Sequence, residues 1–207
     1  VEEEGGNTIR ISSQKGTVRA ELVCEDIYKF TEHRADHWNL IVGHAVLDLF
    51  NIETALRRLA SVTRPGGLLY LTINYDGHTI FEPQIVPDFE EQLLRLYNQS
   101  MDERIMDGVL SGDSRSGRHL FTLVRQLGLE IVDAGSSDWV VYPGSQGYPA
   151  GEDDFLNYII ETIYRQMNAH PALDGKALDQ WAAERRNQVM NGELVLIVHQ
   201  LDLLVRK

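Results

Sequence analysis

Hydrophobic residues fall in two rhythms along this chain, and the changes between them mark out its elements. From Thr17 to Cys24 (TVRAELVC) apolar and polar residues alternate, with Val18, Ala20, Leu22 and Cys24 on one face of an expected strand. Trp38 to Gly43 (WNLIVG) is a short unbroken apolar run, the pattern of a strand buried on both faces of a parallel sheet. Ile52, Ala55, Leu56, Leu59, Ala60 and Val62 then recur at helical spacing. Asn51 stands ahead of them as an N-cap, and Glu53 complements the helix dipole in the first turn. Pro65 has no backbone N–H and holds Arg64 away from the helical region, so the helix ends there. Gly66 and Gly67 make the return, and Leu68 to Asn74 (LLYLTIN) is the next buried strand. Strand, helix and strand in this order form a βαβ unit, with a parallel pair and a right-handed crossover.

The second half reads as helix-rich. Asp88 and Glu91 form a D-x-x-E capping signature after Pro87, with Phe89, Leu93, Leu96 and Tyr97 behind it. A further helix is expected from Ser116 to Leu127, stopped by Gly128. Strands follow at Leu129 to Asp133 and Trp139 to Tyr142. Asp153 or Asp154 caps a periodic helix containing Phe155, Leu156, Ile159, Ile160, Ile163, Tyr164 and Met167. Asp174 starts another, which ends at Asn191-Gly192, and Glu193 to Val205 is a long β-rich strand. Residues 1–16, with Gly5, Gly6 and Ser12/Ser13, are polar and weakly patterned. The pattern predicts one α/β domain over residues 1–207, with a helical insertion at 143–192 before the last strand.

Composition narrows the function classes. The 207 residues suit one domain, and 43% hydrophobic content supports a real core. Nineteen basic against 31 acidic residues leave a net charge of −12, which disfavours nucleic acid or an anionic membrane as the main partner. The single Cys24 forbids an internal disulfide and fits a cytoplasmic, reducing compartment. No apolar run approaches the ~20 residues of a membrane span. The chain opens on Val1, Glu2, Glu3 and Glu4 without Met, which reads as a cut edge.

The stretch from Glu21 to Glu82 resembles the middle of a class I S-adenosylmethionine-dependent methyltransferase. The matching pieces are Asp26-Ile27 after a strand, Asn39-Leu40-Ile41-Val42-Gly43-His44, and Arg64-Pro65-Gly66-Gly67 between helix and strand. The resemblance implies a Rossmann-like three-layer sandwich, mostly parallel, with an antiparallel C-terminal strand and a helical insertion. It also implies that the first two strands, the glycine-rich cofactor loop and the ribose-binding acid lie outside this sequence. Thr17–Cys24 then belongs to the same sheet as Trp38–Gly43. Asn39 stands where the family carries an Asp.

The implied cofactor is S-adenosylmethionine and the implied acceptor a small molecule. Residues just past the carboxyl ends of parallel strands face the crevice where α/β sheets bind ligands. By resemblance Asp26 and Ile27 meet the adenine, Gly43 and His44 lie near the cofactor, and Asn74, Tyr75, Asp76 and His78 lie near the acceptor. Each also has a structural reading: Asp26 as a solvated loop carboxylate, His44 as a histidine bonded to Asp48. No metal site is expected, because His33, Asp36 and His37 lack a fourth ligand. Gly112 to His119 (GDSRSGRH) has phosphate-loop glycine spacing, but Arg118 and His119 replace Lys and Ser/Thr, so a loop before a helix is expected. Phe155, Tyr158, Tyr164 and Trp181 are expected in the core. The rival reading is a degenerate methyltransferase-like module kept for protein contacts, with dimerisation across an exposed sheet edge.

Overall fold

The computed structural model describes residues 2–3, 7–106 and 108–207, so the readings placed on Val1, Gly5 and Gly6 lie outside the described residues. The chain divides into two units, Val1–Ala35 and Asp36–Lys207. In the first, β1 (Glu2–Glu3), β2 (Thr8–Ser13) and β3 (Gly16–Glu21) form an antiparallel sheet in that order, followed by a single turn, α1 (Ile27–Phe30). This corrects the expectation that Thr17–Cys24 joins the sheet of Trp38–Gly43. Its alternation does encode a strand, but the partner is the adjacent segment, with Ser13 opposite Gly16 across a two-residue turn. Closing so short a loop costs little chain entropy, and local pairing wins.

In the second unit β4 (Trp38–His44) leads through α2 (Ile52–Val62) to β5 (Thr63–Glu82). Then come α3 (Pro87–Asp102), β6 (Ile105–Met106), β7 (Val109–Leu110), α4 (Ser116–Gln126), β8 (Glu130–Ser136) and β9 (Trp139–Val141). Helices α5 (Glu152–Met167) and α6 (Gly175–Met190) precede the last strand, β10 (Val195–Arg206). The central sheet has the order β4-β5-β10-β8, with β9 also on β10. Strands β4 and β5 pair in parallel around α2, as the βαβ pattern requires. Strand β10 runs against its neighbours β5, β8 and β9. Strands β4, β5 and β8 therefore share one direction, and the last strand alone is reversed. The fold is α/β, with helices packed on a central sheet.

Local signals set most of these boundaries. Asn51 caps α2 by accepting from the Thr54 N–H at 3.0 Å, and Asp174 caps α6 by accepting from Lys176 N–H at 2.9 Å. Two caps differ from expectation. Helix α3 begins with Pro87 itself, so Asp88 lies in its first turn. Helix α5 follows Gly151 at φ 81°, which puts Asp153 and Asp154 in its first turn. These carboxylates still complement the helix dipole from the first turn.

Two cores result. Helices α2 and α4 pack on β5 and β10, burying Leu56, Leu59, Leu120 and Val124 with Leu69, Leu71, Leu203 and Val205. The other core joins α3, α5 and α6 to the far ends of β5 and β10 through Phe81, Leu93, Leu156, Ile160, Trp181 and Leu196. Each such side chain contributes about 1.5–3 kcal/mol by leaving water. Tyr158 departs from the expected core and is 68% exposed. Among the described residues no helix is long and apolar enough to cross a membrane.

Candidate functional site

Strand β4 ends at the crevice that a parallel pair opens beyond its carboxyl edge. A side chain at Gly43 would meet only Leu71 and Val46, both at an ordinary 3.5 Å. His44 bonds through Nδ1 to the Thr72 hydroxyl on β5, and not to Asp48, so the ring is tied across the sheet. Ala45 then turns the chain with φ 49°, while its N–H donates to Thr72 O at 3.0 Å. On the neighbouring strand Ile73 has φ 59°, and its N–H donates to Asp202 Oδ1 at 2.8 Å. A non-glycine residue in the left-handed region costs about 1–3 kcal/mol, and such strain concentrates at binding sites.

Ala45 and Ile73 both line a pocket of about 180 Å³. Strand β5 adds Tyr75 and Thr79, helix α3 adds Tyr97, β9 adds Trp139, and α5 adds Ile159 and Ile163. The wall is mostly apolar and aromatic. Asp48, in the short helical turn after β4, and Gln200, on β10, are its polar exceptions. Asp48 Oδ1 and Gln200 Oε1 are buried and have no hydrogen-bond partner. Burial pushes the Asp48 carboxyl above its ordinary value, against the pull of Arg104. The Arg104 guanidinium is spent on backbone carbonyls, those of Ser111 at 2.8 Å and Asp48 at 3.1 Å.

Tyr75 is fixed in that wall. Its hydroxyl donates to Asn98 Oδ1 at 3.0 Å and lies 3.0 Å from the Thr79 hydroxyl. Burial raises its pKa to about 12, so it is a neutral donor at physiological pH. Asn98 belongs to a larger, open groove of about 640 Å³ that His78 also lines.

Asn74 and Asp76 flank Tyr75 on the opposite side of the strand, and both are buried. Asn74 donates to the carbonyls of Leu71 at 3.1 Å and Leu201 at 2.8 Å, strapping the kinked part of β5 to β10. Asp76 accepts from the Arg118 backbone N–H at 3.0 Å and from its guanidinium at 2.7 and 2.8 Å, capping the start of α4. His199 Nε2 lies 3.8 Å from Asp76, and its Nδ1 is 2.8 Å from Asp138 Oδ1. The Ser136 hydroxyl, with Gln200 N–H and His199, holds the Asp138 carboxyl below the ordinary range. His78 meets His199 edge-on, with ring centroids 6.4 Å apart.

Of the eight residues singled out by the sequence, six lie in the second unit: Gly43 and His44 end β4, while Asn74, Tyr75, Asp76 and His78 lie within β5, which runs on to Glu82 instead of ending at Asn74. Asp26 and Ile27 are in the first unit, where Asp26 caps α1 by accepting from Tyr28 and Lys29 N–H at 3.0 and 3.1 Å. Sequence reasoning overlooked Asp48, Gln200, Arg118 and His199 as site residues. A signal existed for some of them: Asp48 is a lone carboxylate within AVLDLF, and His199, Gln200 and Asp202 interrupt an otherwise apolar strand. The second glycine of the GDSRSGRH segment, Gly117, serves packing, since a Cβ there would lie 2.8 Å from Asn74 O.

No family model and no curated protein matches the chain. It is similar to solved structures that include methyltransferases. A methyltransferase candidate from Bacillus halodurans C-125 matches with 14% identity over 85% of this chain and 67% of its own, at a TM-score of 0.45. The YcgJ protein of Bacillus subtilis matches with 17% identity over 84% of this chain and 65% of its own, at 0.41. A phosphoethanolamine N-methyltransferase of Haemonchus contortus, in complex with phosphomonomethylethanolamine and S-adenosylhomocysteine, matches with 9% identity. There the match covers 84% of this chain and 34% of the other, at 0.36.

Proposed function

We propose that this chain carries the acceptor side of an S-adenosylmethionine-dependent methyltransferase acting on a small molecule. The observation that carries the reading is the position of the small cavity. It begins at Ala45, one residue beyond the carboxyl end of a strand in a parallel pair, where open α/β sheets bind their ligands. The ordered match from Glu21 to Glu82 supplies the chemistry that the position alone leaves open.

The residues at the end of β4 fit such a cofactor on the side they cover. Gly43 keeps the strand end low, and the bond to Thr72 fixes the His44 ring beside it. On this reading Gly43 and His44 lie near the cofactor, whereas Asp26 and Ile27 belong to the first unit, where the Asp26 carboxyl caps α1. When bound, the cofactor supplies an electrophilic methyl group on a sulfonium. The work left to the protein is alignment, because an in-line displacement gains most from holding the acceptor in a near-attack geometry. The aromatic wall of Tyr75, Tyr97 and Trp139 would orient the acceptor and exclude water. Asn74 and Asp76 would act at one remove, by fixing the kink in β5 and the start of α4. His78 would face the outer groove.

Calorimetric titration with S-adenosylhomocysteine tests the reading, on this chain and on the product of the gene's full reading frame. Binding by either protein that weakens in Gly43→Ala supports it. Absence of binding by both would sink it.

A further inference from the structure

In a chain with a net charge of −12, acidic partners for arginine are plentiful. Among the described residues, Arg58, Arg95 and Arg115 are nevertheless the arginines whose side chains make no hydrogen bond, ion pair or ring contact. Two of them, Arg95 on α3 and Arg115 just before α4, line the same open groove of about 640 Å³. Contacts across the groove bring them to one stretch of it. Gly77 has φ 78°, and a Cβ there would lie 3.3 Å from Arg115 Cγ and 3.8 Å from its Nε, so the arginine lies along the bare glycine. The Gly77 carbonyl accepts from Asn98 Nδ2 at 2.9 Å. Asn98 and Arg95 are three residues apart on α3, which places their Cβ atoms about 5–6 Å from each other. The two arginines therefore flank the Gly77–Asn98 contact, one from each wall.

We propose that this groove binds a small phosphate monoester, with Arg95 and Arg115 clasping its phosphate over the Gly77–Asn98 contact. The carboxylates of the lining are placed elsewhere. Glu90 is bonded to Arg185 and Trp181 inside the fold. Asp102 spends its two oxygens on Ser114, on the N–H at 2.7 Å and the hydroxyl at 3.1 Å. Glu91 stands one turn before Arg95, on the side away from Asn98. Charge then selects the ligand. A phosphate monoester carries about −1.5 to −2 at neutral pH and offers three acceptor oxygens, enough for two guanidinium forks. A carboxylate carries one charge and is satisfied by a single fork. The volume suits a small molecule, whose sites run to ~300–1,000 Å³. Thr79 lines both this groove and the small pocket, so the organic part of the ester has a path toward Tyr75. Naming that ester the methyl acceptor rests on the preceding reading; its binding does not.

The test is a ligand-observed NMR titration of the chain with phenyl phosphate and benzoate at neutral pH and low salt. Phenyl phosphate should bind at least about tenfold tighter than benzoate. Arg95→Gln and Arg115→Gln should each weaken phenyl phosphate at least about fivefold. Arg58→Gln removes an equally free arginine from α2, outside the groove, and should change the affinity by less than about twofold, because exposed charges at a distance are screened. Equal binding of phenyl phosphate and benzoate by the parent chain overturns the proposal, whether or not any variant folds. So does a loss in Arg58→Gln as large as in the groove variants, or a loss confined to one of the two groove arginines. The S-adenosylhomocysteine titration is read separately: phenyl phosphate binding without it would keep this site and discard the methyltransferase, and the reverse would discard only the phosphate.

Discussion

Arg118 holds Asp76 through two charged bonds, its Nε to Oδ1 at 2.8 Å and a terminal nitrogen to Oδ2 at 2.7 Å. Its backbone N–H adds a third at 3.0 Å, so β5 caps α4 from outside the helix. Burial pushes the Asp76 carboxyl up, but these bonds outweigh it and leave the group below its ordinary 3.8. A carboxylate depressed in the fold stabilises above its unfolded pKa, and the contribution is lost as pH falls through the folded one. Asp76→Asn should cost about 1–3 kcal/mol at neutral pH. Urea melts should show the gap between variant and parent closing as the pH drops below about 4. A gap independent of pH would mean that the charge is not what matters.

That role for Asp76 was not legible in the sequence, and the reason is distance along the chain. Asp76 and Arg118 are 42 positions apart, and His44 and Thr72 are 28 apart. Helix α2 was legible because its signals are local: Asn51 at one end, Pro65 just beyond the other, and one apolar face between. Strand β3 was legible as a strand but not as a partner, since alternation fixes which residues share a face and leaves open which strand lies beside them. The end of β4 was found by the βαβ rule, yet one of the cavity's two polar exceptions, Gln200, comes from β10, more than a hundred residues later.

Arg185 is fully buried, and its guanidinium reaches Glu90 Oε1 at 2.6 Å and Oε2 at 2.7 Å. Trp181 Nε1–H donates to the same Oε1 at 2.7 Å, which ties α6 to α3 under the second core. Removing one ion alone leaves the other buried and unpaired, so Arg185→Met should cost about 3–5 kcal/mol. The double variant Glu90→Leu with Arg185→Met should recover most of that. Denaturant midpoints of the three proteins decide it, and a double variant as weak as the single one would refute the unpaired-charge account.

Two glycines at the site should respond in opposite ways. A Cβ on Gly117 would lie 2.8 Å from Asn74 O and 3.1 Å from Leu201 Cβ, where α4 meets the sheet. Gly117→Ala is expected to cost about 1–3 kcal/mol through overpacking. Gly43→Ala meets nothing closer than 3.5 Å and should stay within about 0.5 kcal/mol. Thermal melts compare them directly, and the small effect at Gly43 is what makes that variant a clean probe of binding.

Tyr75 should ionise apart from the exposed tyrosines. Burial holds its pKa near 12 against an ordinary 10, so its contribution to stability is complete below pH 10 and lost as pH rises toward 12. Ultraviolet difference titration of the parent and Tyr75→Phe should differ by one late-titrating phenol. The variant loses the bond to Asn98 and should be about 0.5–1.5 kcal/mol less stable at neutral pH. A difference confined to the ordinary tyrosine range would place Tyr75 in water.

Asp48→Asn should do the reverse and stabilise the free protein. Burial raises the Asp48 carboxyl, so the folded chain holds that proton to higher pH than the unfolded one, and the group lowers stability as pH rises above its ordinary 3.8. Asparagine keeps the shape and removes the charge. A gain of about 0.5–2 kcal/mol at neutral pH is typical when a residue strained for function is relaxed, and each kcal/mol moves the melting temperature by about 2–4 °C in a chain of this size. The gain should shrink toward acid, where Asp48 is protonated in folded and unfolded chains alike. If Asp48→Asn melts lower than the parent at neutral pH, Asp48 is already satisfied within the fold, and its burial is not what raises the cost of its charge.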